Sequence, residues 1–351
     1  MPRFFVFSEE SIQCTLCPRR CFLGPGKTGH CKVRRNQDGK PESPFHGFIT
    51  ALALDPIEKK PLYHFRPGTE ILSVGFAGCN LHCPFCQNWH ISQTTDASGK
   101  TFSPAELIDA AVKTAKGSQK PDLVKAVYHN QASLAYTYSE PLVHIEFLLD
   151  CMKEAHKAGI ANVLVSNGCV NSEAANEVLE HCDAANIDLK CFSGETYLNV
   201  LGGDLSSVTG FIQMASKKNV HLEITTLVVP GLNDSEEELD KCRDFIAELQ
   251  TGGSVVPWHL SAYHPSYKWN APATDPDFLI AAAKRARKKL EYVYSGNIAD
   301  TNNTLCPNCK KTLISRRGYK VDKSGLLLKE ENEKPYYACA SCGEKTPVIA
   351  L

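Results

Sequence analysis

Between residues 67 and 299 the chain alternates between apolar runs of strand length and amphipathic stretches of helix length. That alternation leaves few folds open. Strands joined through helices pair in parallel, and a parallel sheet needs helices to cover it. The strands read as Ile71–Phe76, Leu134–Tyr138, Asn162–Ser166, Ala185–Leu189, His221–Val229, Val255–Ala262 and Tyr292–Ser295. A helix opens at Ser103, where Pro104 takes the first helical position and Glu106 completes a capping box. Others span the stretch from Pro141 to Gly159, Ser172–Cys182, Val208–Lys218 and Pro276–Leu290, and one more opens on a second capping box, Ser235-Glu236-Glu237-Glu238. The expected fold is α/β, a full or partial (β/α) barrel over residues 67–299. A cysteine-rich metal-binding segment (1–66) precedes it and a four-cysteine, zinc-ribbon or rubredoxin-like tail (300–351) follows.

The cysteines set the chemistry. No stretch is long and apolar enough to cross a bilayer, and the apolar run before Ser8-Glu9-Glu10 is too short for a signal peptide. A cytoplasmic location is expected, where disulfides are rare, so 16 cysteines argue for metal or catalytic use. Cys79, Cys83 and Cys86 follow the first strand at C-x3-C-x2-C spacing. Thiols so placed can hold three corners of a 4Fe–4S cube and leave the fourth iron open. The plainer alternative is a zinc knuckle with a distant fourth ligand. Cys14, Cys17, Cys21 and Cys31, with glycines between them, suit a closed site for structural zinc or for an auxiliary iron–sulfur cluster. Cys306, Cys309, Cys339 and Cys342 form two C-x2-C knuckles around a strand-forming spacer and suit zinc, with iron as the alternative. Cys151, Cys182 and Cys242 lie in helix patterns and read as core filler, whereas Cys169 and Cys191 follow strand ends and are candidates to touch substrate.

In a (β/α) barrel, functional groups gather at the C-terminal ends of the strands. Polar motifs recur there in this sequence. After the cysteine loop come Tyr138-Ser139-Glu140-Pro141, Ser166-Asn167-Gly168, Asp188-Leu189-Lys190, Pro230-Gly231-Leu232-Asn233-Asp234 and Tyr263-His264-Pro265. A single Ser-Asn-Gly is an ordinary turn. The set of them, in register with the strand ends, reads as one site.

Taken together, these motifs resemble the radical S-adenosylmethionine (SAM) enzymes of the pyruvate formate-lyase-activating-enzyme-like group. Within it the chain is most similar to the AmmeMemoRadiSam-system radical SAM enzymes. The resemblance rests on Cys17-Pro18-Arg19-Arg20-Cys21, on Asp55 to Phe65, on Gly78 to Asn88, on Thr137 to Pro141 and on Tyr263-His264-Pro265. It implies that Cys79, Cys83 and Cys86 hold a 4Fe–4S cluster with Phe85 beside it, and that SAM chelates the open iron. It further implies that Glu140 accepts hydrogen bonds from the SAM amino group, with Ser139 standing where activating enzymes have glycine. Ser166 and Asn167 match the ribose region, Asn233 the adenine side, Asp188 and Lys190 a motif near the carboxylate or substrate, and His264 a further cofactor contact. The implied activity is reductive cleavage of SAM to a 5′-deoxyadenosyl radical that takes hydrogen from a substrate. The implied partners are a flavodoxin or ferredoxin as electron donor, and either a glycyl-radical protein or Memo- and AMMECR-like proteins.

Two other functions fit parts of the chain. A non-catalytic iron–sulfur electron-transfer protein needs the cluster but no SAM. A zinc-dependent nucleic-acid module needs the knuckles, yet a formal net charge of −1 supplies no global field for nucleic acid, and the basic run from Lys284 to Lys289 suits a helix C-terminus.

Overall fold

The computed structural model describes residues 2–7, 11–94, 96–117, 132–250, 254–332 and 334–349. In the N-terminal part, β1 (Phe5–Phe7), β2 (Ile12–Cys14) and β3 (Phe22–Leu23) make a small antiparallel sheet, and β4 (Arg35–Gln37) pairs with β5 (Lys40–Glu42). The chain then runs through β6 (Phe48–Pro56), β7 (Glu70–Phe76), the short α1 (Trp89–Ser92), β8 (Lys100–Thr101) and α2 (Pro104–Gly117). Next come β9 (Ser133–Thr137), α3 (Ile145–Lys157), β10 (Ala161–Ser166), α4 (Ser172–Leu179), β11 (Ala184–Asp188) and the single turn α5 (Gly194–Thr196). The core closes with α6 (Leu205–Lys217), β12 (His221–Val228), α7 (Glu236–Leu249), β13 (Trp258–Ala262), α8 (Pro276–Ala286) and β14 (Val293–Gly296). Strands β15 (Thr304–Leu305), β16 (Thr312–Arg317), β17 (Lys320–Asp322), β18 (Leu326–Glu331) and β19 (Lys334–Cys339) build the C-terminal ribbon.

One nine-stranded sheet carries the fold, in the order β14-β13-β12-β11-β10-β9-β7-β6-β8. From β7 to β14 every neighbouring pair is parallel, whereas β6 runs antiparallel to β7 and β8 antiparallel to β6. Strands β14 and β8 are its two edges, so of the two expected forms the partial barrel is the one adopted. Because β6 joins this sheet, the core runs back across residue 66 to Phe48. Strand β13 starts at Trp258, later than the expected Val255, directly after Pro257, which has no N–H to give to a ladder.

The capping signals differ in outcome. At α2 the box is reciprocal: Glu106 N donates to Ser103 Oγ at 3.3 Å, and Ser103 N to Glu106 Oε2 at 2.8 Å. At α7, Ser235 caps Glu238 N at 3.1 Å, but the Glu238 carboxylate takes the Phe192 N–H instead of turning back.

Strand side chains alternate between two cores. Leu72, Val74, Phe76, Leu134, Tyr136, Leu164 and Ile187 pack outward, in one cluster with Leu148, Met152, Phe211 and Phe245 of the helices. Inward, Ile71, Ala135, Ala161, Val163 and Ala184 are small enough to admit Ile57, Leu62 and Phe65 from the segment between β6 and β7. Each of these large side chains contributes roughly 1.5–3 kcal/mol by burial, and together they fill the N-terminal end of the half-barrel. The C-terminal end holds the polar motifs. Among the described residues, no helix is long and apolar enough to cross a membrane.

Candidate active site

The cysteine loop leaves β7 through Gly78, which has φ of +80° and is packed so closely that a Cβ would stand 2.4 Å from the Cys31 carbonyl oxygen. Only glycine fits there. Cys83 is buried, Cys79 and Cys86 half-buried. Burial pushes the Cys83 thiol up to about 12 and Cys79 well above the ordinary range, so these sulfurs become thiolates only with a cation beside them. Lys190 supplies part of that charge. Burial opposes its ammonium form, yet Asp188 at 2.6 Å and the nearby Cys83 raise its pKa. The loop is held from several sides. Leu81 N points at Cys79 Sγ (3.3 Å), Ser92 Oγ meets Cys86 Sγ (3.3 Å), and Lys268 N donates to Pro84 O (2.8 Å).

Glu140 lies against this loop, 1% exposed. Its Oε1 accepts from Leu142 N (3.0 Å) and Ser166 Oγ (2.7 Å), and its Oε2 from Asn167 N (2.9 Å). A carboxylate has about four acceptor positions, so one on Oε2 is left. Burial, only partly offset by these donors, raises its pKa to about 7. The Asn167 amide donates to Asn80 Oδ1 at 3.0 Å and faces Cys79 Sγ at 3.6 Å, which links the carboxylate to the cysteine loop. Glu140, Ser166, Asn167, Asp188 and Lys190 are thus gathered around the thiols as their strand-end positions suggest.

The remaining predicted residues are placed differently. Asn233 is buried and spends its side chain on backbone: Oδ1 accepts from Val229 N (2.6 Å), and Nδ2 donates to Lys190 O (2.5 Å) and Leu227 O (2.8 Å). It braces two strand-end loops. His264 is exposed. Phe85, Cys169 and Cys191 are packed in the main core. Two residues lie inside motifs the sequence singles out, yet their individual roles come only from the structure. Tyr138 adopts φ of +67°, its ring lies where a Cβ on Gly75 would stand 2.9 Å away, and its hydroxyl donates to Asp55 Oδ2 at 2.5 Å. Its carbonyl accepts from Asn88 Nδ2 at 2.6 Å. Asn80 sits among the cysteine groups, donating to Cys169 O at 2.6 Å and lying against Cys17. Neither has a composition or periodicity signal; both are made by chain crossings.

The flanking cysteines occupy opposite ends. Near the loop, Cys14, Cys17, Cys21 and Cys31 gather on the N-terminal hairpins, with Cys14 N donating to Cys21 O at 2.9 Å. That subdomain is tied to the core by Asn171 Nδ2 to Thr15 O (2.6 Å), by Arg19 Nε to Gly202 O (2.7 Å) and by contact of the His30 and His82 rings, tilted at 40° with 3.6 Å between centroids. In the ribbon, Cys306 and Cys342 Sγ stand 3.6 Å apart, as do Cys309 and Cys339 Sγ. One tetrahedral ion with metal–sulfur bonds of ~2.3 Å needs sulfurs separated by roughly 3.8 Å, so this set can hold one ion.

The radical SAM superfamily model matches residues 73–246, the stretch from β7 into α7 that carries the cysteine loop and the gathered strand ends. Over 347 residues the chain is 33% identical to the protein of Methanocaldococcus jannaschii named Uncharacterized protein MJ0808, covering 97% of this chain and 96% of that one. It is 28% identical over 227 residues to the pyruvate formate-lyase-activating enzyme of Clostridium pasteurianum, covering 62% and 87%. Against the pyruvate formate-lyase 1-activating enzyme of Escherichia coli K12 the identity is 26% over 227 residues, covering 64% and 85%. With the matching sequence centred on the strands and thiols that build the site, the chain belongs to the radical SAM superfamily and is an enzyme of that type.

Proposed function

We propose that the chain cleaves SAM reductively on a 4Fe–4S cluster held by Cys79, Cys83 and Cys86, and uses the radical so formed to take hydrogen from a substrate. Family membership implies both cofactors, and the residues fit them. Three thiols on one loop give the soft donor set that iron–sulfur chemistry needs. The observation that carries the reading is the one acceptor position left on buried Glu140 beside that loop, suited to the SAM ammonium. When bound, the two cofactors supply an electron and a 5′-deoxyadenosyl group. The protein's part is position and charge: Glu140 orients the amino end, Ser166 and Asn167 fix Glu140, and Asp188 and Lys190 stand ready for a carboxylate or the substrate. An external flavodoxin- or ferredoxin-like carrier provides the electron.

Similarity to activating enzymes favours a protein substrate, such as a glycyl-radical protein, over a small molecule. Memo- and AMMECR-like partners are the second possibility, and a cytoplasmic location suits either. The test is anaerobic reconstitution, reduction with dithionite, addition of SAM and assay for 5′-deoxyadenosine. Wild type and Cys306→Ala are expected to form it and Cys83→Ala to lose it; a reduced, cluster-loaded wild type that forms none overturns the reading.

A further inference from the structure

We propose that Cys14, Cys17, Cys21 and Cys31 hold a second iron–sulfur cluster, seated against the cysteine loop, and not a zinc ion. The spacing of the sulfurs carries the argument. A single ion draws its four thiolates to roughly 3.8 Å from one another, and the ribbon cysteines meet this with pairs at 3.6 Å. Among the described residues, Cys306, Cys309, Cys339 and Cys342 are the one group of three or more His, Cys, Asp or Glu ligand atoms all within 4.8 Å of one another. No three of the N-terminal thiols make such a group, nor do Cys79, Cys83 and Cys86. In a cubane each thiolate sits on a different iron, so the ligands stand further apart than those of one ion. Like the loop cysteines, the N-terminal set lacks the tight spacing of the ribbon.

These four cysteines nonetheless form one group. Cys14 N donates to Cys21 O at 2.9 Å, His30 N points at Cys21 Sγ at 3.5 Å, and Cys31 lies near enough to Cys14 and Cys17 for their charges to interact. The guanidinium of Arg34, 1% exposed and paired with Glu146 at 2.9 Å, also lies beside Cys14 and adds one positive charge near the set. The set also touches the loop directly. Gly78 packs on the Cys31 carbonyl, and the Asn80 side chain spans from Cys17 to Asn167, whose amide faces Cys79 Sγ at 3.6 Å.

A redox centre in this position is an entry point for electrons. One electron leaves an external flavin or iron–sulfur carrier, which is oxidised by one equivalent; the second cluster takes it up and hands it to the loop cluster, returning to its starting state. This relay rests on the reading of the loop given above, whereas the identity of the metal does not.

The deciding experiment uses the full-length Cys79→Ala/Cys83→Ala/Cys86→Ala variant, reconstituted anaerobically with ferrous iron and sulfide. Iron and acid-labile sulfide are expected in equal amounts, about two to four per chain, with an electron paramagnetic resonance signal after dithionite. Adding Cys17→Ala and Cys31→Ala should remove both and leave the ribbon's metal ion in place. A folded triple variant with zinc at about two equivalents and no iron overturns the proposal. If the triple variant does not fold, Cys17→Ser/Cys31→Ser with the loop intact decides: iron falling to a single cluster's content supports the proposal, and unchanged iron overturns it. Because 5′-deoxyadenosine formation by wild type tests the loop separately, either reading can fail alone.

Discussion

Two glutamates, both fully buried, mark the opposite ends of the parallel strands. Glu140, at the C-terminal end, accepts from three donors, all neutral, and its pKa is raised to about 7. Glu223, at the N-terminal end, accepts from Tyr63 N (3.0 Å), His64 N (2.7 Å), His221 Nε2 (2.9 Å) and His259 Nε2 (2.6 Å). Burial alone would raise its pKa too, but the two imidazoles outweigh burial and hold it well below the ordinary carboxylate range. Around it the network closes. His64 Nε2 meets Tyr294 Oη at 2.7 Å, Tyr294 Oη meets Thr304 Oγ1 at 2.9 Å, and Arg316 of the ribbon donates to Tyr63 O at 2.6 Å. Residue type and burial are the same; the donors decide the use. A carboxylate with every acceptor position filled fixes a fold, and one with a position left can bind a ligand.

The comparison breaks most sharply at Glu140. Glu140→Gln should lower 5′-deoxyadenosine formation by about 100-fold, the scale of one well-placed charged contact, while urea denaturation shifts little. Because its pKa is raised, Glu140 is protonated below about 7, so wild-type product formation should rise with pH through that value, and the variant should lack the limb. Next in size is Glu223→Ala, which leaves two histidines and two backbone N–H groups without their acceptor. It should cost about 3–5 kcal/mol of stability, read by urea denaturation, yet leave product per folded, cluster-loaded molecule unchanged. If activity falls further than the folded fraction, the division between the ends is wrong. The smallest effect is the acid dependence. Glu223 has a depressed pKa, so its contribution is fully present above the unfolded value of 4.5 and is lost as pH falls below it. Wild type should lose stability over that interval, and Glu223→Gln should lose less.

Much of the upper end was legible because it is local. The loop from Gly78 to Cys86 carries its chemistry in spacing alone, and Glu140, Ser166, Asp188 and Lys190 are found by counting strand ends. The closed lower end was not legible, because Glu223 reads as one polar residue inside a strand and its donors lie 36 residues or more away, apart from His221. Asn233 and His264 looked equivalent by motif; tertiary packing buries one as a brace and leaves the other in solvent.

By itself the sequence determined the strand–helix alternation, the parallel core and the three cysteine sets, since periodicity and short-range spacing act within a few residues. Only the tertiary structure decided that the barrel stays open, that residues 57–65 fill its lower end, and that the N-terminal cysteines lie against the cluster loop while the ribbon docks at the far end. Those outcomes depend on which surfaces meet across long stretches of chain, and no local pattern records the partner.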